Sequence, residues 1–281
     1  VVSSETCGLD IVGATYVRDV KPGEIVRFNA DGLHAEQGVP AGRRASCIFE
    51  YVYFARPDSI IDGQSVYQAR RNLGRILAQE APVEADLVLG VPDSGVPHAI
   101  GFANESGVPY ARPFVKYTPT WPRSFMSASQ IVRNQVAKMK LIPVHQLIED
   151  KRLLFVDDSI VRGTQLRETV NFLYENGAKE LHMRSACPPV MYGCKFLNFS
   201  RSTSDMDLIT RRTMEEFEGK EGHRHAEEYG DGESERGRAM RKAICAKLRF
   251  ATLEFQTLPN LIKAIGLPEH CLCTYCWSGK E

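Results

Sequence analysis

One run of residues constrains this chain more than any other: Arg152-Leu-Leu-Phe-Val-Asp-Asp-Ser-Ile-Val-Arg-Gly-Thr-Gln165. Arg152 to Val156 read as an apolar strand that delivers two adjacent carboxylates, Asp157 and Asp158, to its C-terminal tip, where ligands bind in open α/β sheets. A short loop with Ser159, Gly163 and Thr164 then enters a helix. Backbone N–H groups at that helix N-terminus, with the two hydroxyls, suit a phosphate, and Gly163 lets the backbone come close to it. Two carboxylates beside a phosphate would repel it unless they face sugar hydroxyls or a divalent cation. The run therefore asks for a phosphorylated sugar together with Mg²⁺. The plainer alternative is an acidic N-cap on an ordinary helix.

The chain around this run alternates strand and helix. Leu87–Val91 is a short apolar run suited to a buried parallel strand and ends in Pro92-Asp-Ser-Gly95. Helices are expected from about Pro97 to Glu105, stopping at Gly107, and from Thr164 to Asn176, stopping at Gly177. Val66, Ala69, Leu73, Ile76 and Leu77 fall at helical spacing, and Leu181–Ala186 reads as a further strand. This order predicts a parallel α/β sheet with crossover helices. Residues 1 to about 45 read as short strands and turns (Asp10–Val12, Glu24–Phe28), with little material for a core of their own. Ile48–Phe54 is β-branched and aromatic, which predicts a strand. Two stretches break the pattern. Thr118–Lys140 reads as a long mobile loop, and Gly219–Arg238, strongly charged and containing His223 and His225, as a solvated insertion.

Composition removes several classes. Lys+Arg and Asp+Glu are 35 each, which argues against sequence-independent binding to nucleic acid. No apolar run approaches the ~18–20 residues that cross a bilayer, and Val1–Ser4 lack the features of a signal peptide. The start reads as a cut or processed end. Eight cysteines are too few for a disulfide scaffold in 281 residues, and Cys271, Cys273 and Cys276 crowd the C-terminus. A reducing cytoplasm with some of these thiols on a metal fits better than secretion, with disulfides as the alternative.

The acid pair with its Ser/Gly/Thr loop resembles the 5-phosphoribosyl 1-pyrophosphate (PRPP) signature of type I phosphoribosyltransferases. Cys47–Ser59, Gly90–Gly95 and Ser3–Gly13 narrow the resemblance to the amidophosphoribosyltransferases, from Ser3 to about Val190 and again from about Phe250 to Gly279. That family opens purine biosynthesis. It joins PRPP to ammonia, drawn from glutamine by an N-terminal glutaminase domain with a cysteine nucleophile, and gives 5-phosphoribosylamine and pyrophosphate. The resemblance implies that residues 1–40 are the end of that glutaminase domain and its linker, with most of the domain lacking, and that residues 41–281 are the phosphoribosyltransferase domain. Cys7 does not match the nucleophile. The missing part is expected as a separate or covalently attached glutaminase, and the assembly as a cytoplasmic homo-oligomer.

The same resemblance implies roles. Asp157 and Asp158 would hold ribose hydroxyls and Mg²⁺, with Ser94 near the pyrophosphate, and Ser159, Arg162, Gly163 and Thr164 would take the 5-phosphate. Arg123 and Lys140, with Arg133, Lys116 and Lys138 beside them, lie in or next to the segment that in the family closes over PRPP. This stretch departs from the family's pattern: Arg123–Gln130 lacks the expected Thr, Ile and Pro, and Ile142 stands where Asn is expected. A subset of the family carries a [4Fe–4S] cluster, whose ligands match Cys47, Cys194, Cys273 and Cys276, the last two as a CxxC followed by Trp277 and Gly279. Cys187 rivals Cys194, Cys271 rivals a member of the CxxC, and zinc on the same residues is the alternative metal. Two other functions keep the PRPP loop. A PRPP-sensing regulator would want a basic or winged-helix N-terminal domain, which residues 1–40 do not show. A base-salvage transferase would leave the cysteine quartet unexplained.

Overall fold

The computed structural model describes residues 1–116, 141–197 and 205–280. In chain order these form α1 (Thr6–Ile11), the hairpin β1 (Glu24–Asn29) and β2 (Gly32–Gln37), β3 (Ser46–Cys47), the short pair β4 (Ile60–Ile61) and β5 (Gln64–Ser65), α2 (Val66–Glu80), β6 (Leu87–Gly90) and α3 (Val96–Ser106). There follow β7 (Phe114–Lys116), β8 (Leu141–Pro143), β9 (Arg152–Asp157), α4 (Thr164–Glu175), β10 (Glu180–Ser185), α5 (Ile209–Glu218), α6 (Ala226–Gly230) and α7 (Glu235–Leu248). The chain closes with β11 (Thr252–Phe255), α8 (Leu258–Ile265), β12 (Leu272–Cys273) and α9 (Tyr275–Ser278). No helix among the described residues is long and apolar enough to cross a membrane.

The centre is a parallel sheet in the order β11-β10-β9-β6. Strand β9 is buried on both faces. Leu154 and Val156 join one apolar cluster with Leu73, Leu77 and Phe102 of α2 and α3, while Leu153 and Phe155 join another with Val170, Ile244 and Leu248 of α4 and α7. A strand covered on both faces reads as a continuous apolar run, which is why β6, β9 and β10 were legible in the sequence. Helices α2 and α3 meet almost backbone to backbone. A Cβ on Gly74 would stand 1.8 Å from the carbonyl oxygen of His98, and one on Gly101 would stand 2.1 Å from that of Arg71. Gly74→Ala should therefore lower stability by about 3 kcal/mol, the upper end of ordinary overpacking costs, read from a denaturant midpoint. A loss under 0.5 kcal/mol would show that the helices part easily.

Three expectations are corrected. Ile48–Phe54 is not a strand: Ile48 and Phe49 are helical and Glu50–Phe54 form a π-helical turn. Its buried residues are Ile48, Phe49, Tyr51, Val52 and then Ala55, a spacing that alternation cannot produce. Tertiary contacts override β propensity here, since the Arg70 guanidinium takes the carbonyls of Tyr51 (2.8 Å) and Ala55 (2.8 Å). Asp10 and Ile11 close α1 instead of opening a strand. The charged Gly219–Arg238 stretch is folded: Ala226 and Tyr229 are buried, and Arg236 pairs with both Glu218 and Glu228. Its charges satisfy one another, so a polar sequence still makes helix. By contrast the β1–β2 hairpin leaves Ile25, Phe28 and Leu33 more than half exposed. The expected Thr118–Lys140 loop lies outside the described residues.

Candidate functional site

Topology decides where a ligand can enter. Beyond β6, Tyr110 pairs with Val88 on the edge opposite β9, and Val88 exchanges hydrogen bonds with Pro109 and Ala111. After β6 the chain thus goes to one side, then returns by β9 on the other. The crevice at the C-terminal ends of β6 and β9 is a topological switch point, the place where open α/β sheets bind ligands. Both candidate loops open into it: Val91–Gly95 from β6 and Asp158–Gly163 from β9.

The two loops are held together by backbone packing. A Cβ on Gly95 would sit 2.6 Å from the Val156 carbonyl oxygen, and one on Gly90 would sit 2.7 Å from the backbone of Gly95. The Pro92–Asp93 peptide is cis. Ser94 stands beside the carboxylate of Asp158 and favours its charged form, bringing the two loops' polar groups together.

Asp158 is buried at 5% exposure, and Asp157, half-buried, ends the strand beside it. The Asp158 N–H donates to Asp157 Oδ1 (2.9 Å), and the Ser159 hydroxyl donates to Asp158 Oδ1 (2.6 Å). Burial raises both carboxyls above the usual carboxylate range, and mutual repulsion raises Asp157 further. The buried Arg70 opposes that rise at Asp158. Arg70 was not picked out in the sequence. The signal was available, because it falls on the same stripe as Val66, Leu73 and Leu77.

Ile160 is buried under the loop, and Gly163 takes a left-handed φ of 76° just before Thr164 opens α4. The Arg162 guanidinium pairs with Asp207 (2.9 Å), so in this arrangement its side chain is engaged outside the loop. Of the expected closing segment, Arg123, Arg133, Lys138 and Lys140 lie outside the described residues, and Lys116 ends β7, paired with Leu141 of β8.

The cysteines converge from distant segments. Strand β12 pairs with β3 so that Cys273 stands opposite Cys47, and the Cys276 thiol is pushed up to about 12 by burial and by its neighbours Cys194, Cys47 and Cys273. N–H groups of Phe196 and Leu197 donate to Cys194 Sγ (3.4 and 3.3 Å), while burial is the main cause that raises the Cys47 thiol. Amide donors on thiolate sulfur are what a cluster site uses to steady its charge. As placed, no three His, Cys, Asp or Glu side chains among the described residues form a group that could hold a metal ion. All eight cysteines are free, and Cys187 is buried close to Cys276 and the acid pair. The segment after β10 carries the connection: the Trp277 indole donates to Pro188 O (3.1 Å), and the Met191 and Tyr192 N–H groups donate to Cys276 O (2.9 and 3.0 Å). Phe49 stacks on Trp277 at 4.9 Å.

Comparison with known proteins gives a consistent picture. No family model matches the chain. A protein of Mycobacterium tuberculosis named amidophosphoribosyltransferase is 43% identical over 284 residues, covering 100% of this chain and 48% of that protein. Among solved structures, one described as the allosteric regulatory enzyme of purine biosynthesis superposes with a TM-score of 0.80 at 38% identity, over 99% of this chain and 54% of its own. Another, the glutamine PRPP amidotransferase of Bacillus subtilis complexed with ADP and GMP, gives 0.77 at 38% identity, over 99% and 55%. This chain spans about half the length of the curated relatives it matches.

Proposed function

We propose that this chain, homologous over its whole length to amidophosphoribosyltransferases, transfers the phosphoribosyl group of PRPP to ammonia, forming 5-phosphoribosylamine and pyrophosphate. The observation that carries the reading is the acid pair beside a glycine-hinged loop at the switch point. In this reading residues 1–40 are the end of a glutaminase domain and 41–281 the transferase domain, and the exposed Ile25, Phe28 and Leu33 accord with a surface that other protein covers. Glutamine would supply the ammonia through such a domain, separate or attached, in a cytoplasmic homo-oligomer.

The loop N–H groups from Ser159 to Thr164, with the Ser159 and Thr164 hydroxyls, bind the 5-phosphate and fix the ribose over the crevice. Asp157 and Asp158 face the ribose hydroxyls. As C1 gains positive charge on losing pyrophosphate, their negative charge stabilises it, and no protein nucleophile is required. An acid pair whose charge the buried Arg70 offsets at Asp158 suits a divalent cation, so Asp157, Asp158 and Ser94 would hold Mg²⁺ together with substrate oxygens. Mg²⁺ would neutralise charge on the departing pyrophosphate. Arg123 and Lys140 fit the role of cations that close over the same group and exclude water.

The converging thiols and the two amide donors at Cys194 support a [4Fe–4S] cluster on Cys47, Cys194, Cys273 and Cys276, joining the aromatic turn to α9. Zinc on the same thiols is the competing occupant.

Pyrophosphate release tests the activity. The 281-residue chain should turn over PRPP with ammonium, faster at raised pH where more NH₃ is free, and should be silent with glutamine alone. Glutamine requires a nucleophile and an oxyanion site, which in this reading belong to the glutaminase domain of which residues 1–40 are the end. Release driven by glutamine would reveal an unrecognised amidase centre, and silence with both donors would refute the transferase reading.

A further inference from the structure

A phosphate loop that turns its N–H groups inward must turn its carbonyls outward, and something has to take them. Here the taker is α5, which lies outside the loop's own motif. The Ile209 N–H donates to Val161 O (2.8 Å), and Arg212 Nη2 donates to Arg162 O (2.8 Å). The same guanidinium reaches Asp207 O (2.8 Å) and Met206 O (3.3 Å) through Nη1. The side chain of Asp207 in turn holds Arg162 Nη2 (2.9 Å). Arg162 and Arg212 are thus crossed: each reaches the other's segment, one through a carboxylate and the other through a carbonyl. Behind them Ile209 and Leu248 wall the loop. A Cβ on Gly163 would meet Ile209 Cδ1 at 2.9 Å and Leu248 Cδ2 at 3.0 Å.

We propose that Arg212 is a positioning residue for the 5-phosphate subsite: it fixes the Arg162 carbonyl from outside and so presets the N–H groups of the loop, touching no substrate itself. This rests on the reading of the loop as a PRPP site. Half-buried on a helix surface, Arg212 is placed to act through the loop more than through the core. A preset loop meets the phosphate without reorganising, which is where binding free energy is otherwise lost.

The test separates the two ends of the substrate. Ribose 5-phosphate reports the loop, and inorganic pyrophosphate reports the far end of the crevice; each is measured as an inhibitor of ammonium-dependent turnover and as a direct ligand. Arg212→Ala should weaken ribose 5-phosphate about tenfold, the effect of one charge-assisted hydrogen bond, while pyrophosphate binding stays within twofold. KM for PRPP should rise about tenfold with kcat within threefold, as expected when binding alone is lost. Arg212→Lys, which keeps the charge but can reach fewer carbonyls, should recover part of the loss and serves in its place if Arg212→Ala does not fold. Equal weakening of both ligands, or no change in either, would overturn the assignment. A wild-type protein that binds neither ligand would instead refute the PRPP reading itself.

Discussion

Asp157→Asn and Asp158→Asn should each lower ammonium-dependent pyrophosphate release by at least ~10²-fold, the size of effect that follows loss of a transition-state electrostatic partner. Both side chains keep their shape, so what disappears is charge facing the sugar and the cation. The arrangement also predicts an effect of opposite sign on the fold. Two adjacent carboxylates, one buried and the other held against it by a hydrogen bond, repel each other when nothing is bound. Removing one charge should leave the melting temperature of the unliganded protein unchanged or higher, while the stabilisation that PRPP with Mg²⁺ confers should vanish. Activity near the wild-type level in either variant would remove the acid pair from the mechanism. A fall in melting temperature of several degrees in both would mean the pair serves the structure first.

The second large effect concerns iron. Protein purified without oxygen should be brown and carry about four irons per chain, the content of a four-cysteine cubane cluster. Cys194→Ser should lose that iron and the visible absorbance. Cys245→Ser should keep both, because its thiol is engaged elsewhere, donating to Phe250 O at 3.1 Å. Stoichiometric zinc without colour would replace the cluster with the simpler metal. Iron retained by Cys194→Ser and lost by Cys187→Ser would exchange one ligand for the thiol buried near Cys276.

Residues whose environment is local were the legible ones. Strand β9, its acid pair and the hinge at Gly163 lie within one continuous segment, so strand pattern, carboxylates and turn residue could be read together. The cysteine quartet was legible only through resemblance, since its segments meet by the pairing of β3 with β12. The switch point could not be read, because the bridge between Val88 and Tyr110 is a tertiary contact that leaves no periodic trace. The Arg212 brace was hidden for the same reason. Its loop partner lies in a different segment, and an arginine on an amphipathic helix ordinarily faces water. Ile48–Phe54 misled because burial on two sides calls for the same residue types in a strand and in a helical turn.

The pairing of β3 with β12 sets a balance at the chain's C-terminal segment. That ladder is only two residues long on each side. Ordering each residue of the segment costs about 1–2 kcal/mol, whereas each hydrogen bond returns about 1 kcal/mol and burying an aromatic such as Trp277 about 3 kcal/mol. The ladder alone therefore does not seat α9; the Trp277 bond to Pro188 O, its stack on Phe49 and the two bonds to Cys276 O add to it. A metal held by the thiols, as proposed above, would tighten that seat further. With such a metal bound, the segment would act as a clasp, closed both by its own contacts and by what the thiols hold. Because Met191 and Tyr192 hold Cys276 at the end of the connection that leaves β10 beside Asp157, opening the clasp would loosen the floor of the crevice as well.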